Sequence, residues 1–180
     1  IIADSGDNPT AGGVGDRVDV LKAVLESNIK DALFAGIASK SSYDELKKGN
    51  QFNLGGSFGG GGPSLKLTAE DVYFENHCAV VKVKNTTIII SELRRPFHNL
   101  ADFDSLKINL KDFQLLVIKS GYLSPELQEL SAPSFMVLSS GAVNQNLSTI
   151  KNIHRKKQIF PFQDVDQFTP EVSNGLSLIG

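Results

Sequence analysis

The chain has 180 residues, of which 41% are hydrophobic and 21% charged, and its formal net charge is −2. This composition is typical of a globular protein, and the mixed charges give no electrostatic footprint for nucleic acid. A single cysteine, Cys78, excludes an internal disulfide, and no apolar run is long enough to predict a membrane span. We therefore expect one domain over residues 1–180, located in the cytoplasm.

The first elements predicted are a loop, a helix and a strand. Residues 4–15 contain Pro9 and three later glycines, which break any regular element. Asp16 is a suitable N-cap for the helix that follows. The apolar residues of that helix recur at the helical spacing: Leu21, Val24, Leu25 and Ile29. Ala32–Ala38 is then an apolar run of strand length, and this order favours an α/β layer architecture.

The middle of the chain predicts a short helix followed by strands. Ser42 could cap a helix that runs to Lys48. Residues 65–90 alternate between apolar and polar positions or are rich in β-branched side chains, which indicates several strands. Asn85 lies between two of these strands, where a tight turn would make a hairpin.

The glycine-rich segment 55–62 resembles a phosphate-binding loop in composition alone. No lysine follows it and no helix signal begins after it, so the nucleotide-binding pattern is incomplete. We expect a flexible hairpin or a disordered tip here.

Shorter elements follow in the carboxyl-terminal half. Residues 101–106 predict one or two helical turns, and Phe113–Ile118 predicts a buried strand. Ser124 followed by proline is a typical helix start, and residues 135–138 predict another strand. The whole pattern predicts an α/β fold with a mixed β-sheet flanked by helices.

The loop before the first helix contains Asp4, Asp7 and Asp16. A glycine-rich loop at a helix N-terminus suits an anion, but three carboxylates would repel a phosphate. They could bind a cation or hold a basic group of a partner. The alternative is purely structural, in which the aspartates cap turns and the glycines adopt unusual backbone angles.

Lys119 comes directly after a predicted buried strand, the position at which open α/β sheets usually bind ligands. It could orient a carboxylate there, or it could mark the point at which the strand reaches water. The histidines show no metal-binding spacing, and Cys78 is interpreted as a buried thiol.

Two segments carry a resemblance to a known family. Residues 7–16, Asp-Asn-Pro-Thr-Ala-Gly-Gly-Val-Gly-Asp, resemble the Asp-Asn-Pro-Gly-Gly-Gly-x-Pro-Gly-Asp signature of the microcystinase C (MlrC) family of metallopeptidase-like proteins. Residues 115–120, Leu-Leu-Val-Ile-Lys-Ser, resemble the apolar strand of that family that ends in Lys-Ser. Thr10, Ala11 and Val14 depart from the signature, and Gly121-Tyr122 follows Lys-Ser where many members have His-Phe-Arg.

The resemblance implies that this chain is the C-terminal domain of a longer protein, which agrees with a start at Ile1 rather than at methionine. In the family, zinc and the catalytic residues belong to the N-terminal domain, so no metal ligand is assigned in this chain. Six residues would face that domain and shape a cleft for a peptide or small amide substrate: Asp7, Asn8, Gly12, Gly13, Asp16 and Lys119.

The resemblance therefore predicts an accessory domain of a zinc-dependent peptidase or amidohydrolase that is inactive alone, with its own N-terminal domain as partner. Two further classes stay open. One is a small-molecule binding or regulatory module, in which the aspartate loop and Lys119 bind a ligand without catalysis. The other is a structural domain that assembles as a homo-oligomer.

Overall fold

A computed structural model describes residues 1–130, 133–150 and 154. The chain divides into two compact units, Ile1–Gln145 and Asn146–Gly180. In the second unit, the described residues include one 3-10 turn at Leu147–Thr149. All elements below belong to the first unit.

The first unit contains nine strands and four α-helices among its described residues. The strands are β1 Ile2–Asp4, β2 Ala32–Ala38, β3 Gln51–Leu54, β4 Leu65–Thr68, β5 Asp71–Glu75, β6 Cys78–Val83, β7 Thr86–Ser91, β8 Leu115–Ile118 and β9 Phe135–Val137. The helices are α1 Asp19–Glu26, α2 Lys40–Leu46, α3 Leu100–Asp104 and α4 Pro125–Glu129. The predicted α/β fold with a mixed sheet and flanking helices is confirmed.

Seven strands form one sheet in the order β5-β6-β7-β2-β8-β1-β9. β7, β2, β8, β1 and β9 run parallel to one another, whereas β5 and β6 join the β7 edge as an antiparallel meander. β3 and β4 form a separate antiparallel pair. Because the five parallel strands end at one edge of the sheet, the loops that follow them are neighbours.

The alternation of side chains along each strand divides the core between the two faces of the sheet. In β2, Phe34 belongs to the cluster that includes Leu21 of α1 and Phe52 of β3. Leu33 and Ala35 belong to the opposite cluster, which includes Phe103 of α3 and Leu127 of α4. Each face is thus covered, which explains why every residue of β2 is buried.

The bounds of Ala32–Ala38 are confirmed, as is the hairpin at Asn85, where β6 and β7 pair antiparallel. Ser124 caps α4 as predicted, since its hydroxyl accepts a hydrogen bond from the Leu127 N–H. In these cases a local signal, either an apolar run or a capping residue, was enough to predict the element correctly.

Two predicted caps are wrong. The N-cap of α1 is Val18, and the Asp16 carboxylate binds backbone amides of a distant loop instead. α2 begins earlier than predicted, because Ser39 rather than Ser42 caps it. Asp16 is held by a tertiary contact with Phe58 and Gly60, so it does not cap α1. In α2, the Ser39 hydroxyl accepts a hydrogen bond from the Ser42 N–H and so takes the cap position three residues earlier.

None of the helices in the described part of the chain has the length and apolar character that crossing a membrane requires.

Candidate functional site

The candidate site lies at the carboxyl edge of the parallel strands. β1 ends at Asp4, β8 ends at Ile118 and β9 ends at Val137, and these three strands are adjacent with β1 in the centre. Loops after neighbouring parallel strands are where open α/β sheets form binding crevices. The predicted site residues all belong to, or contact, these loops.

Lys119 is the centre of a buried charge cluster. Its Nζ donates to Asp4 Oδ2 at 3.1 Å and to Asp7 Oδ2 at 3.3 Å. The side chain of Lys119 is 1% exposed, and those of Asp4 and Asp7 are 3% and 2% exposed. Lys119 therefore orients carboxylates, as one interpretation predicted, but these belong to its own chain. The alternative, that Lys119 marks the emergence of the strand into water, is wrong.

Asp7 also fixes the backbone of its own loop. Asp7 Oδ1 accepts a hydrogen bond from the Gly15 N–H at 3.0 Å, and Asp7 Oδ2 accepts one from the Arg17 N–H at 2.7 Å. A carboxylate that is buried with an ammonium group and two amide donors has its charge well compensated. Asp7 thereby closes residues 7–17 into a loop anchored on Lys119.

Asp4 connects the same cluster to the loop after β9. The Ser139 hydroxyl donates to Asp4 Oδ1, and the Gly6 N–H donates to the Ser139 hydroxyl at 2.9 Å. Three segments that are far apart in sequence are thus joined by one carboxylate: the ends of β1, β8 and β9.

Asn8 and the glycines shape the exposed part of the loop. Asn8 Oδ1 accepts hydrogen bonds from Thr10 N at 2.8 Å and Thr10 Oγ1 at 2.6 Å, so it caps the 3-10 turn Pro9–Ala11. Gly12 has a φ of 99° and faces open space, whereas a Cβ on Gly13 would lie 2.7 Å from the Asn8 backbone. Gly12 thus supplies the turn, and Gly13 permits close backbone packing.

Asp16 holds the glycine-rich segment. Its Oδ2 accepts hydrogen bonds from Phe58 N at 2.6 Å and Gly60 N at 3.3 Å. Arg17 Nη1 also donates to Gly60 O at 3.0 Å, while Asp19 binds the remaining guanidinium nitrogens. The segment connects β3 to β4, so the predicted hairpin is present, and these bonds fix its tip. Asp16 Oδ1 is buried and has no hydrogen-bond partner among the described residues.

The structure therefore brings the predicted residues together, but mostly below the surface. Asp7, Asn8, Gly13, Asp16 and Lys119 are buried, and Gly12 alone of the six is exposed. They act on the surface by positioning the loops that cover them.

The exposed surface above them contains residues that sequence reasoning missed. We call it the loop-tip surface and define it as Thr10, Ala11, Gly12, Arg94 and Tyr122. Arg94 follows β7, and its Nη1 lies 3.4 Å from Gly13 O. Tyr122 is 77% exposed and follows Gly121, at which an added Cβ would lie 2.8 Å from Asn8 Nδ2. Arg94 and Tyr122 each lie in the loop that follows a predicted strand, and Ser139 directly follows the predicted strand 135–138, so position alone could have indicated these three residues. Asp4 belongs to the aspartate loop that the sequence already indicates.

Among residues 1–130, 133–150 and 154, no group of three or more His, Cys, Asp or Glu side chains is arranged to hold a metal ion. Asp4 and Asp7, the two carboxylates that meet at this edge, both pair with the Lys119 ammonium group. The cation that they hold is therefore a side chain of the protein itself.

The comparisons with known proteins agree with this fold. Residues 2–154 match the family model described as the MlrC C-terminus. A crystal structure of a "putative metallopeptidase" from Mesorhizobium sp. BNC1 superposes with a TM-score of 0.72 at 16% identity, covering 93% of this chain and 38% of that chain. No match was found among curated proteins. This chain thus spans well under half of the matched structure, and the family match over residues 2–154 shows that it belongs to the MlrC C-terminal domain family.

Proposed function

We propose that this chain is the accessory C-terminal domain of a longer zinc-dependent peptidase or amidohydrolase, and that its loop-tip surface forms one wall of the substrate cleft. The domain is not catalytic alone. Zinc belongs to the absent N-terminal domain, where a metal-bound water would supply the nucleophile for a peptide or small amide substrate.

The buried cluster of Lys119 with Asp4 and Asp7 is the observation that carries this proposal. A buried lysine that joins two carboxylates is costly to desolvate, and similarly sized apolar groups often stabilise a fold at least as well. The cluster fixes the loops after three neighbouring strands at the edge where ligands bind in this class of fold. Contact of the loop tips with another domain or a substrate would explain why the chain retains a costly buried cluster that holds these loops in place.

Arg94 and Tyr122 are the side chains of the loop-tip surface best suited to contact a substrate. An exposed guanidinium group can bind a carboxylate or a carbonyl oxygen, and a tyrosine ring offers an apolar face with a polar end. The positions beneath them, Asp7, Asn8, Asp16 and Lys119, would then be positioning residues.

The first test compares the full-length protein with the 180-residue chain by metal analysis and a peptidase screen. Bound zinc and hydrolysis in the full-length protein, with neither in the chain alone, would support the proposal. Stoichiometric metal in the chain alone would overturn it, because the active site would then lie in this domain. A small ligand bound by the metal-free full-length protein, without hydrolysis, would favour the regulatory alternative.

A second test uses Arg94→Ala in the full-length enzyme. Loss of one charge-assisted contact to the substrate should lower kcat/KM roughly tenfold, with zinc content unchanged. Lys111→Ala is the matched control. Lys111 is exposed and cationic, but it precedes β8 and so lies at the amino ends of the parallel strands, away from the loops at their carboxyl ends. Equal kinetics for both variants would remove Arg94 from the substrate cleft.

A further inference from the structure

The two edges of the seven-stranded sheet differ in their side chains. β5 forms one edge, and it includes Asp71 and Glu75. β9 forms the other edge, and no charged residue occurs in the sequence between Glu129 and Lys151. Charged side chains on an edge strand normally discourage pairing with another chain. The β9 edge lacks this protection.

The β9 edge also exposes large apolar side chains. Phe135 is 62% exposed, Met136 39% and Leu138 53%. Among the described residues, β9 pairs with β1 alone, through Phe135 N to Ile1 O and Ser5 N to Val137 O. Because the backbone groups of successive residues in a strand point to opposite sides, those of Met136 point away from β1. Backbone groups and apolar side chains are therefore available at the same edge.

An open apolar groove continues this surface. It lies between α1 and the β1–β9 end of the sheet and has a volume of about 530 Å³. Its lining includes Val20 and Ala23 of α1, Ile2 of β1, and Leu138. Two turns of α1, from Asp19 to the C-cap Ser27, line one side of the groove, and Val137 at the end of β9 lines the other.

We propose that the β9 edge and this groove bind an extended apolar segment from the remaining part of the full-length polypeptide, which adds a strand beside β9. The length of that remainder supports this occupant, since the present chain spans 38% of the matched structure. Strand addition to an exposed sheet edge supplies main-chain hydrogen bonds, and alternate side chains of the added strand enter a neighbouring groove. The inference rests on the proposed function in assuming a longer protein, but it concerns a different surface from the loop tips.

The test is photo-cross-linking in the full-length protein. Met136 is replaced by the photoreactive residue benzoylphenylalanine, and Phe74 on the opposite edge strand is replaced in the same way as the control. The two positions are matched in exposure, at 39% and 37%. Position 138 provides a second site for the probe if the variant at position 136 does not fold.

We expect position 136 or 138 to form a cross-link to a peptide from the region outside this chain, identified by mass spectrometry, and position 74 to form none. Cross-linking to a second copy of the protein, to residues 146–180 of the same chain, or to nothing beyond the control would overturn the proposal. The readout does not depend on zinc or hydrolysis, so failure of the proposed enzymatic function would leave a positive cross-link unchanged.

Discussion

Lys119 shows how one buried side chain can organise a whole edge of the sheet. It comes at the end of β8, yet its ammonium group holds carboxylates from the β1 end and from the loop that follows. Both carboxylates are almost completely buried, so the three charges depend on each other for compensation.

Replacing Lys119 with methionine should destabilise the chain by about 3–5 kcal/mol, because two buried carboxylates would lose their cation. Chemical denaturation of the variant would measure this loss. Lys111→Met is the control, since Lys111 is exposed, and it should change stability by less than about 0.5 kcal/mol. A small effect for Lys119→Met would mean that the cluster contributes little to folding.

Gly60 offers a second residue-scale test. A Cβ at this position would lie 2.0 Å from Asp16 Oδ1, so in Gly60→Ala either the loop tip or the Asp16 carboxylate must shift, which disturbs the hydrogen bonds between them. We expect a loss of about 1–3 kcal/mol, the usual cost of overpacking, in thermal or chemical unfolding. Gly49→Ala is the matched control, because no atom lies within 4 Å of its Cβ position. Similar results for the two variants would contradict the Asp16 anchor.

At the scale of elements, α3 depends on one carboxylate for its amino end. Asp102 Oδ2 accepts hydrogen bonds from the N–H groups of His98 and Asn99, both at 2.9 Å, and Arg95 binds Oδ1. Burial opposes ionisation, but these donors outweigh it, so the pKa of Asp102 lies below its ordinary value of 3.8. The ionised carboxylate therefore stabilises the folded chain.

Asp102→Ala should cost about 1 kcal/mol at neutral pH, as for loss of a helix cap. Because the folded pKa is lowered, this contribution is complete above the ordinary value of 3.8 and is lost as the pH falls through the folded pKa. The difference between variant and parent should therefore be constant near neutrality and shrink in acid, measured by denaturation across pH. Asp104→Ala in the same helix is the control, and a pH-independent difference for Asp102→Ala would contradict the assignment.

At the scale of the whole molecule, the sheet order predicts which strands open last. β2 is central and all seven of its residues are buried, whereas β5 is an edge strand whose residues are partly or fully exposed. Native-state hydrogen exchange should find the slowest amides in β2 and faster, sub-global exchange in β5. Equal protection of the two strands would show that the sheet opens only as one unit.

Much of the fold was predictable from sequence because the relevant signals are local. The buried run Ala32–Ala38 has no polar residue, and Ser124 before proline places a cap at a helix start. The likeness to the MlrC family came from residues 7–16 and 115–120, and the family match confirms it. Element types and the candidate loop were thus determined by short segments of the chain.

Tertiary structure alone decided which distant groups the charged candidate residues contact. Asp4 and Lys119 are separated by 115 positions, and they meet because β8 lies beside β1 in the sheet. The sequence predicts Asp16 as a helix cap, but in the structure its carboxylate accepts hydrogen bonds from amides of the loop between β3 and β4. Local patterns encode secondary structure, but the pairing of distant charges depends on strand order, which no short segment specifies. For that physical reason, the sequence determined the elements and the candidate loop, and the structure decided which residues are buried, paired or exposed.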